Sequence, residues 1–262
     1  MKTVALLSLL AGPFVVGCTF GSSNTSNSSS YSASQEPLHS ATIATGELKP
    51  SLSAQSSDTT IKIYAALFAN PNGGGNVGVV LDQGDFFTAK VGSSDATVLT
   101  MEPLEDGTTV HYTATIPAAT TAEDIVIALV RGGGQVSAPY SVIHVPAPFA
   151  FVSTPPVSIK YGAALAVQVA PASSDTIKFE ATGSCVATTG NDSLTAPVLD
   201  DSGKGVIDTS QIKLVDGSPG CDISFYLSFS EYGSIDSAFA SDFTIVDIEG
   251  LQKRGMDTAV TR

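Results

Sequence analysis

The sequence predicts an all-β fold: two tandem antiparallel β-sandwiches, immunoglobulin- or fibronectin-like, after a disordered N-terminal tether. Three observations lead there. Apolar and polar residues alternate at period two in one segment after another. Clusters of Gly, Pro, Asn and Asp separate those segments at short intervals. No long stretch carries the 3.6-residue period of an amphipathic helix.

The N-terminus comes first. Lys2 supplies a minimal positive start, and residues 4–14 are an apolar run too short to span a bilayer. The run closes on Val15-Val16-Gly17-Cys18. An ordinary secretory cleavage site needs a small residue where Val15 stands, whereas an aliphatic residue, a small residue and a cysteine resemble a bacterial lipoprotein box. The resemblance implies that residues 1–17 are a signal peptide removed before Cys18. It further implies that the Cys18 thiol carries a diacylglyceryl group and that the new amine is acylated. Several acyl chains make a stable anchor where one is marginal. In lipoproteins of this kind an acidic residue after the cysteine retains the protein at the inner membrane. Here Thr19 and Phe20 follow, which favours the outer one. Residues 18–58 then read as a tether. Ser22-Ser23-Asn24-Thr25-Ser26-Asn27-Ser28-Ser29-Ser30 offers nothing to bury, and His39 reads as solvated.

Residues 59–146 read as the first sandwich. Ile61, Ile63, Ala65 and Leu67 alternate with Lys62, Tyr64 and Ala66, and Val110, Tyr112, Ala114 and Ile116 with His111, Thr113 and Thr115. Further strands are expected over 77–81, 86–91, 97–101, 125–131 and 136–145, with turns at 71–75, 83–84, 105–107 and 132–134. A single helical turn is expected near 120–124. Pro146-Ala147-Pro148 then breaks the ladder pattern and marks a short, semi-rigid junction.

Residues 147–248 read as the second sandwich. Its strands are marked by Leu165, Val167 and Val169, by Ile177, Phe179 and Ala181, and most strongly by Ile223, Phe225, Leu227 and Phe229. Phe243 and Ile245 read as its close, and residues 249–262 as a polar, frayed tail. Period two carried forward from Ile177 reaches Cys185, and carried back from Ile223 it reaches Cys221. Both thiols then face the core. An even pair in an exported chain is most simply a disulfide, with free or metal-binding thiols as the alternative. The layout as a whole resembles a loose class of uncharacterised bacterial lipoproteins with tandem immunoglobulin-like domains. It implies no catalytic residues.

Composition narrows the function. Net charge is −13, and −14 once Lys2 leaves with the signal peptide, with the basic residues scattered and no cluster larger than Lys253-Arg254. Nucleic acid therefore finds no electrostatic footprint, and anionic lipid no attraction, so membrane attachment falls to Cys18. The absence of Trp weighs against an aromatic sugar platform, although seven Tyr remain. The stretch from Asp200 to Asp208 loosely resembles a calcium loop, but Lys204 places a cation where an oxygen ligand is needed, so a solvated hairpin loop is expected. Three His, none at ligand spacing, and no Gly-x-Ser-x-Gly elbow leave no metal site, catalytic residue or cofactor to assign. Tyr64, Phe68 and Tyr226 read as exposed aromatics open to binding or to covering a neighbouring strand. The expectation is a non-enzymatic envelope lipoprotein, a binding or structural module whose partner is an envelope protein or a glycan. A carbohydrate- or ligand-binding accessory module, or an assembly subunit of an envelope or secretion complex, is the alternative. A small hydrolase is the third.

Overall fold

The structure, a computed structural model, describes residues 36–70, 76–82, 84–103, 110–118, 120–152, 154, 156–172, 176–187, 194–240 and 248–262. The lipobox with Cys18, the Ser-rich stretch, the turns at 71–75 and 105–107, and Phe243 with Ile245 lie outside the described residues. Among those described, the regular elements are strands and three short 3-10 turns, at Ser40–Thr42, Thr45–Glu47 and Thr209–Gln211. No helix among them is long and apolar enough to cross a membrane.

The first module holds β1 (Leu38–His39), β2 (Lys49–Ser56), β3 (Thr60–Ala69), β4 (Val77–Val80), β5 (Phe86–Val91), β6 (Thr97–Val98), β7 (Thr100–Pro103), β8 (Val110–Pro117), β9 (Glu123–Val130) and β10 (Ala138–Val145). One layer runs β1-β4-β3-β2, with β8 and β7 continuing from β3, and the facing layer runs β10-β9-β5-β6. Leu52, Ile61, Ile63 and Leu67 from the first meet Phe87, Ile125, Ile127, Leu129 and Ile143 from the second, all essentially without exposed surface. Each such side chain contributes about 1.5–3 kcal/mol of hydrophobic stabilisation.

The second module holds β11 (Ala150–Phe151), β12 (Ser158–Lys160), β13 (Ala164–Ala170), β14 (Thr176–Gly183), β15 (Lys204–Asp208), β16 (Gly220–Tyr232) and β17 (Ile248–Thr261). Phe225, Leu227 and Phe229 on β16 pack against Leu165, Val167 and Val169 on β13 and Ile207 on β15, with Phe149 4.4 Å from Phe229 between ring centroids. The tandem all-β sandwich expectation is met.

Two expectations about the ends are overturned. Residues 36–58 are not all tether: Leu52 and Ala54 on β2 face the first core, and β2 pairs antiparallel with β3 along its whole length. Residues 249–262 are not a frayed tail either. β17 pairs with β16 over thirteen residues, from Gly220↔Thr261 to Tyr232↔Glu249. Its first five residues also pair in parallel with Leu52–Ser56 of β2, and its last three with β12. A single sheet thereby runs through both modules. Between β16 and β17 the chain crosses back to the first module: Ser234 and Val142 exchange backbone hydrogen bonds at 2.8 Å, and Phe239 enters the first core. Gly233 and Gly250 permit this approach, since a Cβ at either would overlap a carbonyl oxygen, of Val142 or His144. The modules are thus held by a backbone ladder as well as by the Pro146–Pro148 junction. Two smaller corrections concern β9, which begins at Glu123 where a helical turn was expected, and the expected hairpin loop after Asp200, whose second half is β15.

Candidate functional site

The densest polar cluster lies where the N-terminal segment enters the first module. Arg131 follows β9, and its side chain is wholly buried against Asp85, whose side chain is 6% exposed. Nε donates to Asp85 Oδ2 at 2.8 Å, Nη1 to Thr45 Oγ1 at 3.1 Å, and Nη2 to the carbonyls of Ser40 (2.7 Å) and Ile43 (3.1 Å). Asp85 also accepts from the Ser40 hydroxyl at 2.7 Å and the Gly132 N–H at 2.6 Å. Thr45 donates onward to the Val136 carbonyl. Every partner belongs to the protein, so the cluster is a latch that pins residues 40–45 across the turns after β4 and β9. Sequence reasoning missed it because Arg131 before Gly132-Gly133-Gly134 reads as an exposed hairpin end.

Beside the latch, His39, Asp82 and Ser40 form a hydrogen-bonded patch that superficially suggests a nucleophile and base. His39 Nδ1 lies 2.8 Å from Asp82 Oδ1, so His39 is exposed but anchored. The Ser40 hydroxyl is buried; it donates to Asp85 and accepts from the Asp82 N–H at 2.9 Å. Its proton points to a carboxylate and not to an imidazole, which is the wrong geometry for activation. The Ala41 N–H, 2.6 Å from Asp82 Oδ2, holds that carboxyl below its ordinary value, helped by His39 and Ser40. His144 Nδ1 pairs with Asp124 at 2.6 Å on an open sheet face, and His111 meets the edge of the Tyr64 ring.

The Asp200 loop ties itself together. Asp200 Oδ1 accepts from the Ser202 N–H (2.8 Å), the Ser202 hydroxyl (2.7 Å) and the Lys204 N–H (3.0 Å). These bonds, the Ser202 hydroxyl foremost, lower the carboxyl's pKa. Asp208 is lowered in the same way by the hydroxyl and N–H of Ser210. No group of three or more His, Cys, Asp or Glu side chains fit to hold a metal occurs among the described residues.

Cys185, buried just past β14, is joined to Cys221 on β16, with Cα atoms 5.7 Å apart. In the chain-entropy model a closed loop of this length stabilises by about 3–4 kcal/mol. The aromatics singled out in sequence are covered: Phe68 is buried, Lys62 lies over the Tyr64 ring at 5.0 Å, and Lys253 over Tyr226 at 4.6 Å. Among the described tyrosines, Tyr140 and Tyr232 are open, 72% and 66% exposed.

A groove of about 970 Å³ runs along the outer face of β13 and β15. Its floor is Ala166, Gln168 and Val206, and its wall is the arm from Thr195 to Val198. Gly205 makes it possible. A Cβ there would strike Leu199, the Val198 carbonyl and Pro197, so the arm tucks beneath β15 instead of running beside it. Val198 and Val206 are left 90% and 56% exposed.

No family model and no curated protein matches this chain. Solved structures similar to it include the titin I-band fragment I67-I69 (10% identity, TM-score 0.23), which spans 82% of this chain and 65% of that one. An E-to-A variant of the same three-Ig fragment gives 11%, 0.24, 82% and 64% for the same measures. A chimeric titin Z1Z2 carrying an exogenous decorin peptide gives 14%, 0.22, 84% and 98%. The chain thus spans just under two-thirds of the I-band fragments. These low scores carry no argument about topology or role.

Proposed function

We propose that this chain is a non-enzymatic lipoprotein of the cell envelope, anchored through Cys18 at the outer membrane, on its periplasmic face or at the cell surface. Its two sandwiches form a binding or structural body for another envelope component. The observation that supports this reading is the shared sheet: β17 joins β2 and β16, so whatever enters at Glu36 is attached to one body and not to two loose beads. A latched N-terminal segment and a rigid body suit presentation of a surface at a distance from its anchor. Replacing Cys18 with Ser is expected to abolish labelling by radioactive palmitate and to move the protein from the membrane fraction to the soluble one. Unchanged labelling overturns the anchor.

A glycan partner is the second reading, favoured by one observation. Tyr140 and Tyr232 are open phenol rings, and the Tyr140 N–H donates to the Asp236 carboxylate at 2.7 Å, which sets an open ring beside a polar group. A glycan array on which Tyr140→Ala and Tyr232→Ala both lose signal supports it.

A further inference from the structure

We propose that the free edge of β15, with the groove beside it, binds an extended cationic segment of a partner protein by β-strand addition. The proposal deepens the binding-module reading and is independent of the lipid anchor.

Hydrogen bonding along β15 carries it. The Val169 N–H donates to the Gly203 carbonyl at 3.0 Å, and β13 pairs Val167↔Gly205 and Leu165↔Ile207. In an antiparallel ladder alternate residues bond the neighbour, so Gly205 and Ile207 face β13 while Lys204 and Val206 face away. Lys204 uses its outward groups locally: its carbonyl accepts from the Asp200 N–H at 2.8 Å, and its N–H bonds the Asp200 side chain. A continuing hairpin would next pair Val206 with Val198. Instead the arm dives beneath Gly205, and among the described residues no hydrogen bond meets the Val206 N–H or carbonyl. Further on, the Gln211 side chain brackets the backbone of Thr195 at 2.6 and 3.1 Å, which closes the far end. The vacancy therefore fits a short extended peptide, with Val198 and Val206 offering apolar contact.

The other edges are less open. β10 is closed by Ser234, and β14 is bridged at Phe179 by Leu194. β6, β7 and β11 run only two to four residues. Charge selects the occupant. Asp200 and Asp208 line the groove against the single cation Lys204. A second copy of this chain, at −13, is repelled.

The test uses the purified full-length chain in detergent and fluorescein-labelled hexapeptides of alternating Val and Lys or alternating Val and Glu, read by anisotropy. The Val/Lys peptide is expected to bind at least about tenfold more tightly than the Val/Glu peptide and to weaken as salt rises. Val206→Pro, which deletes the outward N–H, is expected to weaken it about tenfold, while Val206→Thr, which keeps the N–H, retains it. If the proline variant fails to fold, Val198→Lys decides, since it adds a repelling charge without touching the ladder. Equal binding of both peptides, no binding of either, or indifference to Val206→Pro and Val198→Lys overturns the proposal. Palmitate labelling of Cys18 and glycan binding at Tyr140 and Tyr232 are unaffected by that result, so the broader reading is judged separately.

Discussion

Arg131 is the residue on which the first module's entry segment depends. Its charge is buried with that of Asp85, and removing one partner leaves the other stranded, a loss of about 3–5 kcal/mol. Arg131→Met is therefore expected to lower the urea midpoint sharply, whereas the double variant with Asp85→Leu recovers part of the loss because no isolated charge remains. Asp82 makes a smaller, pH-dependent contribution. Its folded pKa lies below that of a free aspartate, chiefly through the Ala41 N–H, so its stabilisation is present above the free-aspartate value. It fades as pH falls from there through the lowered folded value. Asp82→Asn is expected to lower stability at neutral pH and to flatten the acid limb of a stability–pH curve, the two proteins converging below the lowered folded value. The Cys185–Cys221 pair was legible in sequence because two cysteines in an exported chain most simply bond; period two holds along β16 to Cys221, whereas Cys185 sits in the turn just past β14. Arg131 was not. A buried cation is recognisable only through its acceptors, and those come from segments far away in the chain.

At the scale of elements, the strands with strong apolar alternation were read to within a residue or two, as β5 and β8 show. β17 escaped for a physical reason. Its core-facing positions are Ile248, Gly250, Gln252, Arg254, Met256, Thr258 and Val260, and four of these seven are glycine or polar. Glycine stands where the His144 backbone presses close, and Arg254 pairs with Asp58 while lying over Phe149. β2 hid in a similar way, because its inward Ala54 and Ser56 are too small to register as a hydrophobic stripe. The groove was invisible for the opposite reason: it exists through a hydrogen bond not made, and no alternation pattern announces where a hairpin opens. Gln252 gives this element its own prediction. Its side chain is fully buried, and among the described residues neither amide atom has a hydrogen-bond partner. Gln252→Leu removes two unsatisfied polar atoms at similar volume and is expected to raise the melting temperature, by a gain of about 1 kcal/mol or more. A fall in melting temperature would show that the amide is satisfied by water.

For the whole molecule, the shared sheet converts two cores into one cooperative unit. Sequential domains joined by a short linker ordinarily move and unfold separately. Here β17 contributes Ile248 to the first core and Met256 and Val260 to the second, so neither core is complete without it. Calorimetry is expected to give one transition whose calorimetric and van't Hoff enthalpies agree. A chain ending at residue 247 is expected to lose the second module's near-ultraviolet signal and to destabilise the first. Two resolved transitions in the intact protein would refute the coupling.

The parallel pairing of Leu52 with Ile248 also sets the order of assembly. β2 and β17 are far apart in sequence, and contacts between such distant parts of a chain form slowly. Until β17 docks, β2 presents an open edge and the first core stays incomplete, a state vulnerable to aggregation and in need of shielding. A chain cut before residue 248 therefore leaves β2 with an exposed edge and the first core without Ile248.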